Sequence, residues 1–131
     1  MTTARAEVIR ASLEAVGRLD FDEVFRLVAP DFEADFSRAN GLARGVHTLE
    51  RFRAVTEEFN SDWESVRYEA HDFIEAGERV VTPFTTHLRG RDGIELQDRG
   101  VWVWTFRDGT IARLCLYQEL DEALASVGPR E

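Results

Sequence analysis

The sequence predicts an α+β fold, a curved antiparallel sheet wrapped around three N-terminal helices. Three observations carry this. The first half of the chain sets apolar residues at helical spacing, whereas the second half alternates with period two, the mark of half-buried strands. Asp108-Gly109 joins two arms rich in β-branched and aromatic residues, 96–106 and 110–120. Asp-Gly is a strong hairpin signal because a type I′ turn needs positive φ at both central residues. Arms of about eleven residues at roughly 3.3 Å each are long strands, and long strands twist and coil. Helices followed by a meander of strands define the α+β class.

The elements follow in order. Thr2 or Thr3 caps a first helix whose stripe is Val8, Ile9, Ser12, Leu13, Val16 and Leu19, with Gly17 weakening its end. Asp20 and Glu23 form a capping box for a second helix with an apolar face of Phe21, Val24, Phe25 and Val28. Pro30 ends it, since the residue before proline avoids helical geometry. Residues 32–37 alternate as a short strand with Phe32, Ala34 and Phe36 inward, and 38–44 read as a loop. Leu49, Phe52, Val55 and Phe59 mark a third helix, capped by Thr48 or His47. Val66, Tyr68 and Ala70 face inward on the next strand, and the alternation slips at Asp72-Phe73-Ile74, which predicts a bulge. Residues 80–88 form a strand in which Pro83 requires an edge or a bulge. Arg91-Asp92-Gly93 turns into the hairpin, and Asp121 caps a last helix over 122–126.

A chain of 131 residues is read as one domain, 1–131, large enough for its own core. The net charge of −9 argues against nucleic acid and against anionic membranes, both of which call for a basic face. No apolar run approaches a membrane span, and no apolar leader core stands at the N-terminus, so a cytoplasmic location is expected. One cysteine, Cys115, excludes an internal disulfide, and three scattered histidines make no metal site. No cofactor is expected. All 16 basic residues are arginine, a mark of high-GC coding that suits a bacterial source.

Several stretches together resemble one superfamily: Ala29-Pro30-Asp31, then Gly45 with Leu49 and Phe52, then residues 76–81, then residues 103–111 ahead of Tyr117. In order and spacing they are similar to the nuclear transport factor 2-like superfamily, and within it to the SnoaL-like polyketide cyclase group. The resemblance implies a cone with a ligand cavity between sheet and helices. It also implies a homodimer through the outer sheet face, here Val101, Val103, Thr105, Arg113 and Cys115. Fold alone does not give a reaction.

Catalytic relatives of this kind move protons with a buried acid–base residue. Where cyclase-type members carry His, seven residues before the turn glycine, this chain has Trp102. Where they carry Asp, seven residues after it, this chain has Leu116. The isomerase-type base position falls on Phe36. All three are apolar, which counts against those mechanisms. Replacement acid–base groups are His87 and Asp98, with Asp35 pointing to the other face unless a bulge intervenes. Adjacent His71 and Asp72 are discounted because neighbouring strand residues face opposite sides. The expected ligand wall is Phe36, Trp63, Trp102, Trp104, Leu114 and Leu116, with Gln118, His87 and Asp98 orienting the ligand. Tyr68 is read either as pocket lining or as core filler, the second favoured, and Cys115 as core or interface filler with no obvious basic neighbour. Three functions follow: a binder of a small hydrophobic molecule, an isomerase, cyclase or dehydratase with a displaced base, or a structural homodimer with a filled cavity.

Overall fold

A computed structural model describes residues 3–38 and 44–128. Helix α1 spans Ala4–Gly17, and the Thr3 side chain caps it by accepting from the Ala6 N–H at 3.1 Å. Helix α2 spans Phe21–Leu27, with the Asp20 side chain accepting from the Glu23 N–H. Val28, expected on the α2 face, instead opens strand β1, Val28–Phe36. It is β-branched and already extended at ψ 157°, and Pro30 two residues on bars further helix. The first strand is therefore longer than 32–37, with an irregularity between Val28 and Glu33.

Gly45–Thr48 forms a short strand, β2, antiparallel to β1 and absent from the expectation. Most of the loop expected at 38–44 lies outside the described residues. Helix α3 spans Leu49–Ser61 with Thr48 as its cap. His47 is thus no cap but a buried strand residue, its Nδ1 accepting from Arg51 Nε at 3.1 Å.

The remaining strands are β3, Ser65–Ala70, β4, Ile74–Ala76, β5, Arg79–Arg89, β6, Glu95–Arg107, and β7, Thr110–Tyr117. Asp108 and Gly109 both have positive φ, 53° and 81°, as the I′ turn requires. The arms are unequal, because β7 ends at Tyr117 rather than running to Leu120. The sheet order is β2-β1-β7-β6-β5-β3, with β4 also on β5. The meander is antiparallel as expected, but β1 joins β7 in parallel, so the sheet is mixed. Pro83 sits opposite the gap between β3 and β4. Its carbonyl accepts from the His71 N–H at 2.9 Å, so its missing N–H faces that gap and breaks no ladder bond.

The inner sheet face packs on α1, α2 and α3 in one apolar core, including Ile9, Phe21, Val24, Phe52, Phe84 and Trp104. The last helix, α4, spans Leu120–Val127 with Glu119 at its N-cap position, so Asp121 lies in its first turn and is not its cap. It packs on the other side of the sheet, where Ala123 meets Val81, Val101 and Val103. Two of the residues expected to form a dimer face are thereby covered by the chain itself, each only 4% exposed.

Candidate functional site

Between the helices and the inner sheet face lies a cavity of about 320 Å³. Strand parity builds its wall. From β6, Trp102 and Trp104 project inward, from β7 Ile111, Leu114 and Leu116, and from β1 Phe32 and Phe36. From β5 come Phe84, Thr86 and Leu88, and from α3 Phe52, Val55, Thr56 and Phe59. The aromatic rings interlock. Phe84 stacks on Trp102 at 3.5 Å between centroids and 6° between planes, and Trp104 meets Trp102 edge-on at 5.4 Å. Gly100 makes this stack possible, since a Cβ there would stand 2.9 Å from Phe84 Cζ.

The exposed polar residues on the lining, Asp98, Arg99 and Gln118, mark its open end. Gln118 Nε2 donates to the Arg38 carbonyl at 3.0 Å. Tyr68, on β3, also lines the cavity, with its ring 5.9 Å from that of Trp102. Burial pushes its phenol up to about 12, against a weaker opposing pull from the Asn60 side chain. Asn60 in turn donates to the Thr56 carbonyl at 2.8 Å. Ser12 Oγ donates to the Ile9 carbonyl at 3.1 Å. Two buried polar groups on this face have no partner among the described residues, Trp104 Nε1 and Thr82 Oγ1. Each orphan of this kind costs about 1–3 kcal/mol.

The structure brings together Phe36, Trp102, Trp104, Leu114, Leu116, Gln118 and Asp98 around one space. It leaves out two residues expected there. His87 is on the opposite face from Thr86 and Leu88, where its Nε2 meets Glu69 Oε1 at 2.7 Å and Gln97 lies 3.4 Å from its Nδ1. The period of the strand separates it from Asp98. Its hydrogen bond also holds the Glu69 carboxyl below the ordinary range. Trp63 follows α3 and touches Phe59, ring centroids 6.5 Å apart, one ring removed from the cavity.

Asp35 also faces outward. Arg113 Nη2 donates to it at 3.0 Å, and Ser37 binds it through N–H and hydroxyl. Burial raises its pKa, but the Ser37 bonds and the Arg113 and Arg38 charges outweigh this and leave it lowered. Arg113 also donates to Glu33 at 2.6 Å, so it ties β1 to β7. Cys115 does have a basic neighbour after all, Arg113, whose guanidinium pKa it raises. Among the described residues no group of three His, Cys, Asp or Glu side chains converges to hold a metal. No helix among them is long and apolar enough to cross a membrane.

The family model for the SnoaL-like domain matches residues 9–114, most of the chain and every strand that walls the cavity except the last three residues of β7. The chain belongs to the SnoaL-like domain family. Among curated proteins none matches it. Solved structures share the fold over nearly the whole length. TerC, crystallised with polyporic acid, superposes with a TM-score of 0.76 at 20% identity, covering 97% of this chain and 100% of TerC. An NTF2-like protein of unknown function from Burkholderia pseudomallei gives 0.73 at 23% identity, covering 98% and 100%. IdmH, a putative polyketide cyclase from Streptomyces antibioticus, gives 0.73 at 16% identity, covering 95% and 99%. At these identities the likeness is one of fold, a mixed curved sheet with helices in its concavity.

Proposed function

We propose that this SnoaL-like protein binds a small hydrophobic molecule in the cavity between its sheet and its first three helices. The observation that carries the reading is an aromatic and aliphatic wall around about 320 Å³, with exposed polar side chains gathered at one end. Pockets of this size and lining are the usual form of a small-molecule site. The fold neighbours are in keeping with it, since one was crystallised with polyporic acid and another is a putative polyketide cyclase. A thermal-shift panel of polyketide aromatics, steroids, terpenes and fatty acids tests it. Ligand at a hundred times its Kd raises stability by about 2.7 kcal/mol. A panel without any saturable shift refutes it.

A second reading is catalytic. Asp98 lines the cavity, so an isomerase, cyclase or dehydratase of this group would use it as a displaced acid–base residue, without a cofactor. Its test is turnover of whichever compound binds. Asp98→Asn should then abolish turnover and leave affinity within a few-fold. Absence of turnover in the parent protein ends this reading and leaves binding in place. The structural-homodimer reading has less support, because α4 occupies part of the face it needs.

A further inference from the structure

The inner cavity shares a wall with a second void. A pocket of about 340 Å³ lies at the seam between the C-terminal half of α1 and the edge strand β3. Leu13 and Tyr68 line this outer pocket and the inner cavity alike. Side chains common to both linings are a partition between the two spaces. Gly17 and Val66 line the outer pocket and not the inner cavity. The exposed Arg18 and Arg67 stand at its rim, so it opens to solvent.

The partition is held in place from several sides. Tyr68 projects from β3, which pairs with β5 through Thr86 at this position. Its ring packs against Trp102 at 5.9 Å, and Trp102 is itself stacked on Phe84. The Asn60 side chain reaches its hydroxyl, and Asn60 is tied to the Thr56 carbonyl at 2.8 Å. Leu13 belongs to the apolar core. A phenol engaged at both ring and hydroxyl must give up both to swing aside. We infer that the Tyr68–Leu13 partition sets the length of the ligand, ending the inner cavity at about 320 Å³ and keeping an outer pocket of similar size out of its reach. Tyr68 is then a specificity residue that acts by excluding volume, not by bonding to the ligand. The inference rests on the binding reading and refines it. Interiors are close-packed, so truncating a wall side chain leaves a void, and here that void joins the spaces on either side of it.

The test uses 2-naphthol and 6-phenyl-2-naphthol, which differ by one ring along the long axis. Affinities are measured by fluorescence titration for the parent, for Tyr68→Ala and for Leu13→Ala, with circular dichroism to confirm folding. The two substitutions open the wall from the strand side and from the helix side, so one remains informative if the other folds poorly. A further protein combines Tyr68→Ala with Gly17→Phe. Gly17 lies in α1, and outside its own helix a Cβ there meets only the Val66 carbonyl oxygen within 4 Å, at an ordinary 3.8 Å, so the added ring plugs the outer pocket and leaves the inner cavity alone. The parent should bind the longer probe at least about tenfold more weakly than the shorter one. An opened protein should bind the longer probe at least about tenfold more tightly than the parent does, as burial of one more ring requires, and Gly17→Phe should abolish that gain. If the parent binds both probes equally, if the opened proteins gain nothing for the longer probe, or if the gain survives the plug, the inference is overturned. A saturable shift with any compound of the wider panel then still leaves binding in place. If no compound of either set binds the parent or its variants, the binding reading falls and the inference with it.

Discussion

Raising the pH should destabilise the protein through one cavity residue, Tyr68. Its phenol is pushed up to about 12 from 10.0 because the ring is desolvated against the cavity wall. A raised folded-state pKa in an acid means that the fold prefers the neutral form. The resulting stability is complete below pH 10, falls between about 10 and 12, and is gone above the folded value. Two units at 1.36 kcal/mol each set the loss at no more than about 2.7 kcal/mol. For a domain of this size that is roughly 10 °C in Tm. The chain suits the experiment, because it has no lysine to titrate in the same range. The assay is urea unfolding of the parent and of Tyr68→Phe at half-unit steps from pH 8.5 to 12. The difference between the two curves isolates Tyr68 from Tyr117 and Cys115. Stability of the parent should fall relative to the variant by up to about 1.4 kcal/mol per pH unit above 10. Parallel curves would refute the reasoning, for they would mean that Tyr68 titrates in a wet environment and that this wall of the cavity is not apolar.

Further outcomes follow from the same geometry. Gly100→Ala should cost about 1–3 kcal/mol in urea unfolding, since the new methyl meets Phe84 at 2.9 Å and that ring is already stacked on Trp102. Arg113→Gln should cost about 0.5–1 kcal/mol, the modest value proper to a side chain 40% exposed, and the difference from the parent should shrink in 1 M salt. Asp35 has a depressed pKa, so its contribution is present above the unfolded value of 3.8 and is lost as pH falls through the lower folded value. Asp35→Asn should therefore flatten the acid limb of the stability profile below about pH 4, measured by circular dichroism.

Much of this architecture was legible in residue spacing. The alternation of β6 and β7 placed Trp102, Trp104, Leu114 and Leu116 on one face, and Asp108-Gly109 announced the turn between them. The same rule excluded His87 once Thr86 and Leu88 were known to face the cavity. What spacing could not show was where separate elements dock. An eight-residue helix such as α4 reads as amphipathic but does not reveal which sheet face it covers. Strand β2 is four residues long and begins at a glycine, too short to display a period. The parallel union of β1 with β7 joins segments some 80 residues apart, and no local pattern encodes it. Arg113 lies beside Cys115 only because both project from one face of β7, a consequence of period two that the charge of a single residue does not announce. The orphaned Trp104 and Thr82 groups are visible only in three dimensions, because a missing partner leaves no mark in sequence.

The central claim is that the cavity is a working binding site. Leu116→Trp tests it most directly. Leu116 sits on the inner wall opposite Trp102, so an indole there projects into the empty space. Ligand-dependent thermal shift is measured for the parent and the variant with the best compound of the panel. The expected result is a saturable rise in Tm for the parent and none for a variant that remains folded and at least as stable. A shift that survives the filled cavity, or a parent that shifts with nothing, would contradict the account.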